Sequence, residues 1–158
     1  MSTYKAPLND IRFALYDVIG AEAEFARLGF ADATRDVLDA VLDEAARFTE
    51  TVLAPLNATG DREGCTLDRA TGEVTTPTGF KAAYSQFVDG GWPSLTSPVE
   101  VGGQAMPHTV GFPLKEMIDA ANLAWGNFPL LSHGAVEALK QHGEDWQREA
   151  FLKPIVEG

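Results

Sequence analysis

The segment from Gly90 to Pro107 constrains this chain more than any other. It holds four glycines, three prolines and one tryptophan in eighteen residues, so neither a helix nor a long strand can cross it. Gly90 or Gly91 is placed to end the preceding helix with positive φ, a conformation that other residues avoid. Pro107 suits the first turn of the next helix, where a missing N–H costs nothing. Trp92 is too large and apolar for an idle linker and is expected as the buried anchor of a structured loop.

The flanking sequence is helical in pattern. Ile11, Ala14, Leu15 and Val18 recur at helical spacing in an arm from Ala6 to Gly20, for which Asn9 is the expected cap. The longest helix is expected from about Thr34 to Ala58, capped by Asp32 or Thr34. Val37, Leu38, Val41, Leu42, Ala45, Phe48, Val52, Leu53 and Leu56 form its apolar stripe. Pro55 is expected to bend it or fix its final turn. Asp36, Asp39, Asp43, Glu44 and Glu50 lie opposite and read as solvated charge, with nothing apolar beside them to raise a pKa.

Thr66, Leu67, Val74 and Thr75 flank Arg69-Ala70-Thr71-Gly72, which predicts a small exposed hairpin near 65–76. Phe80, Ala83, Tyr84, Phe87 and Val88 then predict another helix. Beyond the loop, a helix is expected from Pro107 to about Trp125, kinked or divided by Pro113. Asn127-Phe128-Pro129 predicts a boundary before a helix to about His142. The last helix is expected over Asp145 to about Val156, burying Trp146, Ala150, Phe151 and Leu152.

Composition removes several classes of function. With 158 residues, 45% hydrophobic and 22% charged, the chain suits one soluble domain. Its net charge of −11 disfavours nucleic acid, and no apolar run reaches the length of a membrane span. The single Cys65 excludes an internal disulfide and a cysteine-built metal site. Lys5, Asp10, Arg12 and Asp17 interrupt any secretory h-region, so a cytoplasmic location is expected. The same context makes the Asn57-Ala58-Thr59 sequon an empty match.

No GxGxxG, P-loop lysine, HExxH motif or nucleophile elbow is present. His108, His133 and His142 have no spacing for adjacent helix turns and read as caps or surface groups. His133 with Glu137 is an ordinary i, i+4 surface pair. The residues alone name no catalytic, cofactor-binding or metal-ligating group, and the function stays open at this point.

Four segments together resemble the acyl-CoA dehydrogenase family. They are Tyr4 to Leu15; Leu53-Ala54-Pro55-Leu56-Asn57 with Gly60-Asp61 and Gly64; the Gly90–Pro107 loop; and Gly134-Ala135-Val136-Glu137-Ala138-Leu139 with Gly143 and Phe151-Leu152-Lys153-Pro154. The first is similar to the N-terminal extension of a subgroup that includes enzymes acting on 3-methylmercaptopropionyl-CoA. The resemblance implies an all-α helical bundle, with residues 1–30 as an extension packing on it and 31–158 as the N-terminal helical domain. A middle β domain and a C-terminal helical domain would lie outside this sequence.

Enzymes of the family remove an α proton with a glutamate while a β hydride passes to flavin. That base is expected in the C-terminal domain and most FAD contacts in the middle one. FAD is thus implied for an intact enzyme, with none expected on this chain, which would be inactive alone. An acyl-CoA substrate, electron-transfer flavoprotein and homo-oligomerisation are likewise implied. The wall of the acyl-chain cavity would fall near Gly126, Leu130, Leu131 and Gly134. The competing reading is a stand-alone helical interaction module that kept the domain and lost catalysis.

Overall fold

Two long helical segments form the frame, and the rest of the chain packs around them. The structure, a computed structural model, describes residues 4–158; the first three residues of the expected extension lie outside the described residues. The first long segment joins α3 (Arg35–Phe48), a wide π turn (Thr49–Leu53) and α4 (Ala54–Glu63) without a break. It runs past the expected end at Ala58. Pro55 cannot donate to the helical ladder, and its ring crowds the preceding turn. The widened turn just before it accommodates both problems, while Thr49 donates from Oγ1 to the Ala45 carbonyl at 2.9 Å.

The second long segment is α6 (His108–His142). Its backbone leaves the helical region at Asn122, with φ −161° and ψ 84°, and the helix turns there. This corrects the expected positions of the break. Pro113 lies in the first two turns, is buried, and does not interrupt the helix; Pro129 likewise sits inside the second arm. Each proline removes one N–H from the ladder, yet the backbone stays helical at both.

The remaining helices are α1 (Leu8–Arg12) continuing through a wide turn (Phe13–Val18), α2 (Ala21–Arg27), α5 (Phe80–Asp89), α7 (Asp145–Gln147) and α8 (Lys153–Glu157). Another wide turn, Arg148–Leu152, precedes Pro154 as Thr49–Leu53 precedes Pro55. The expected hairpin is present, with β1 (Thr66–Leu67) antiparallel to β2 (Val74–Thr75). Asn9 does not cap α1; Pro7 takes that place and Asn9 lies within the first turn. Thr34 stands before α3, though its side chain makes no capping bond.

The arm is tied down by charge as well as by Ile11 and Leu15. Arg12 reaches Asp39 at 2.7 Å and Asp43 at 2.8 Å, and Tyr16 donates to Asp39 at 2.9 Å. Lys5 and the Ala6 backbone N–H both bind Glu50. Several carboxylates that look like idle surface charge in sequence are therefore fastenings.

One large core runs through Leu38, Leu42, Phe48, Leu53, Phe80, Phe87, Trp92, Met117 and Trp125. Trp125 meets Phe87 at 5.4 Å and Phe48 at 6.1 Å, both edge to face, and donates Nε1–H to the Phe80 carbonyl at 3.2 Å. A second, smaller cluster joins Val136, Leu152 and Val156 to Val101, Leu139 and Ile155. The final helix therefore buries Leu152 and Val156, not the expected Trp146 and Phe151, which are 58% and 50% exposed, nor Ala150, which is exposed as well. The wide turn at 148–152 rotates the face that an unbroken α-helix would present.

Candidate functional site

Residues 108 and 133 would lie roughly 38 Å apart along a straight helix. Here the rings of His108 and His133 meet edge to face at 5.3 Å between centroids. The fold-back at Asn122 is what brings them together, and it gives α6 the shape of a V. Asn122 accepts from the Trp125 backbone N–H at 3.1 Å through Oδ1, capping the second arm as an N-cap asparagine does. Its amide donates to the Leu53 carbonyl at 3.2 Å, fixing the apex to the wide turn of the other long segment. Both polar ends of this buried side chain are satisfied.

A cavity of about 550 Å³ occupies the V and the groove beside it. Phe87, Trp92, Leu95, Leu114, Ile118, Leu130 and Val136 supply most of its apolar wall. Trp92 enters because Gly91 takes φ 72° and turns the chain after α5, while the Trp92 N–H returns to the Phe87 carbonyl at 3.2 Å. Of the two glycines considered from sequence, Gly91 thus has the positive φ; Gly90 keeps a helical one. Gln104 fastens the loop by donating to the Gly91 carbonyl at 2.7 Å.

The cavity lies between the two hydrophobic clusters, and its rim is polar. His108, Ser132, His133 and Glu137 line it, as does Lys115, which is paired with Asp119. Lys140 donates to Glu137 at 2.8 Å, and that bond holds the Glu137 carboxyl below the usual range, with smaller help from His133 and His108. The meeting of His108 and His133 was not visible in the spacing. The sequence feature at the bend is Asn122 itself, a residue type favoured at helix N-caps, standing inside an apparently continuous helical pattern.

The four residues expected near an acyl-chain wall fall in different places. Leu130 lines the cavity. Gly126 is buried beneath the apex, where an added Cβ would lie 2.7 Å from Asp119 Oδ1 and 3.0 Å from Ile118 Cγ2. Leu131 is 78% exposed and Gly134 is exposed with nothing within 4 Å of an added Cβ; neither lines the cavity.

Among the described residues no group of three or more His, Cys, Asp or Glu is arranged to hold a metal ion. Lys115, the lysine among the residues that line the cavity, is already paired with Asp119. No helix among the described residues is long and apolar enough to cross a membrane.

These features define a helical scaffold with an apolar ligand cavity and a polar rim. Residues 36–158 match the family described as acyl-CoA dehydrogenase, N-terminal domain, and the chain belongs to that family. The 3-methylmercaptopropionyl-CoA dehydrogenase of Ruegeria pomeroyi is similar, 38% identical over 156 residues, covering 99% of this chain and 26% of that protein. The broad-specificity linear acyl-CoA dehydrogenase FadE5 of Mycobacterium tuberculosis is 31% identical over 124 residues, covering 78% of this chain and 20% of the relative. The chain thus spans about a quarter of the first relative's length and a fifth of the second's.

Proposed function

We propose that this chain is the acyl-chain-binding part of an FAD-dependent acyl-CoA dehydrogenase, and that the cavity inside the V of α6 receives the acyl group. The observation that carries the reading is that cavity, about 550 Å³ and walled by Phe87, Trp92, Leu114, Ile118 and Leu130. Burial of apolar chain there contributes about 25 cal/mol per Å² removed from water. Leu130 is the wall residue of this proposal. Gly126 serves it indirectly, by letting the two arms close at the apex; Leu131 and Gly134 face other parts of an intact enzyme.

In this reading the chain binds and shields the acyl group, while the proton-abstracting base and the flavin belong to other parts of the protein. FAD supplies hydride acceptance there, and no step of that chemistry runs through the residues described here. Alone, the chain is inactive. The intact enzyme takes an acyl-CoA, passes electrons to an electron-transfer flavoprotein, and assembles as a homo-oligomer. Support for this comes from the family and from the names of the two relatives.

A photoaffinity experiment tests the site. An acyl N-acetylcysteamine thioester carrying a diazirine on its chain is irradiated with the protein, and labelled residues are read by mass spectrometry. Labels on Ile118, Leu130 or Phe87 support the reading. Labels confined to exposed side chains such as Leu131 and Trp146 count against it.

A further inference from the structure

Three polar side chains are buried among the described residues: Thr49, Ser97 and Asn122. Two of them are satisfied. Thr49 donates to the Ala45 carbonyl, and Asn122 bonds the Leu53 carbonyl and the Trp125 N–H. Ser97 is 8% exposed, and among the described residues its hydroxyl has no hydrogen-bond partner. It also lines the cavity.

The loop fixes Ser97 through its backbone. Its N–H donates to the Ser94 carbonyl at 3.1 Å, and its carbonyl accepts from the Ala105 N–H at 2.9 Å. Gly103 packs so closely that an added Cβ would lie 1.9 Å from that carbonyl oxygen. With both backbone groups engaged, what Ser97 offers a ligand is the hydroxyl. Thr96, Ser132, His108 and His133 line the cavity too, but each is half-buried or exposed and open to bulk water. A hydrocarbon lying against the enclosed Ser97 hydroxyl leaves it unpaired, whereas a neutral oxygen pairs it.

Resting on the reading of this cavity as the acyl-group site, we propose that Ser97 is a binding residue whose hydroxyl donates to an uncharged oxygen of the bound molecule. The ligand class is an apolar molecule bearing a carbonyl, such as a ketone or a thioester, preferred over a hydrocarbon of the same shape. The preference belongs to the oxygen and does not depend on which way a chain runs through the cavity.

The test titrates the 158-residue chain with acetophenone and α-methylstyrene, followed by NMR of the backbone amides. The two probes share a shape and differ by an oxygen in place of a methylene, and both are small against about 550 Å³. Ser97→Ala is expected to weaken acetophenone about three- to tenfold and to leave α-methylstyrene unchanged. The infrared carbonyl band of bound acetophenone, lowered in the wild type by the hydrogen bond, moves up in that variant. Thr96→Val and Ser132→Ala keep the ratio of the two affinities. An acetophenone affinity unmoved by Ser97→Ala, equal loss of both probes, or a ratio that collapses in Thr96→Val or Ser132→Ala overturns the proposal and leaves the cavity reading standing. Failure of both probes to bind the wild-type chain overturns the reading of the cavity as a ligand site, and the proposal with it.

Discussion

The side-chain amide of Asn122 donates to the carbonyl of Leu53 at 3.2 Å, joining the apex of one long helix to the wide turn of the other. Each irregularity explains the other. Pro55 forces a turn that presents the Leu53 carbonyl, and Asn122 uses it while capping the second arm of α6 through Trp125 N–H. Removing the side chain deletes a cap and leaves a buried carbonyl short of a partner. Asn122→Ala is therefore expected to lower stability by about 2–4 kcal/mol, read from urea melts. Asn122→Asp keeps the cap, loses the donor and buries a charge, and is expected to lose comparable stability near neutral pH.

Gly126 sets how closely the arms approach. A methyl group there meets Asp119 Oδ1 and Ile118 Cγ2 within 3.0 Å. Gly126→Ala is expected to destabilise by about 1–3 kcal/mol, as overpacking does. It also pushes His133 away from His108, which NMR reads as loss of ring–ring contacts between the two imidazoles.

Trp92 holds the glycine-rich loop against α5. It is largely buried, and its removal opens the cavity wall. Trp92→Ala is expected to cost about 3–5 kcal/mol, whereas Trp146→Ala, at an exposed site, changes the melting temperature little. Comparison of the two melts checks this.

Acid is expected to release the N-terminal arm. Burial disfavours the Asp39 carboxylate, but hydrogen bonds from Arg12 and Tyr16 outweigh it and depress its pKa; Lys5 and the Ala6 N–H do the same for Glu50. A carboxyl whose folded pKa is depressed stabilises the fold above its unfolded pKa. That contribution fades as pH falls through the folded value. Stability should thus decline below about pH 4, and Asp39→Asn should flatten the decline in melts taken from pH 6 to 3. At the other extreme Tyr16, raised to about 12 by burial and then by Asp39, should ionise later than an ordinary tyrosine in an ultraviolet titration.

Regular periodicity made most helices and the hairpin legible in the sequence, and Trp92 announced its own burial. What was not legible follows from local backbone exceptions. A proline marks a broken ladder, but whether the ladder breaks there depends on the turns around it. Pro113 sits near a helix start and is absorbed, Pro55 and Pro154 follow wide turns, and the bend falls on Asn122, where no proline stands. The contact of His108 with His133 depends on that bend, so no spacing rule applied along one helix can reveal it. Leu130 lines the cavity and its neighbour Leu131 does not because successive residues of a helix point about 100° apart. Carboxylates such as Asp39 and Glu50 read as solvent-facing because their partners, Arg12, Tyr16 and Lys5, lie far away in sequence.

The most direct measurement is the affinity of octanoyl-N-acetylcysteamine for the wild-type chain and for Leu130→Trp, by calorimetry. Leu130 is half-exposed, so an indole is tolerated there, yet it lines the cavity and narrows it. Saturable one-to-one binding to the wild type, weakened at least tenfold in the variant with an unchanged melting temperature, is the predicted result. Unaltered affinity in the variant, or no binding by the wild type, would contradict the account.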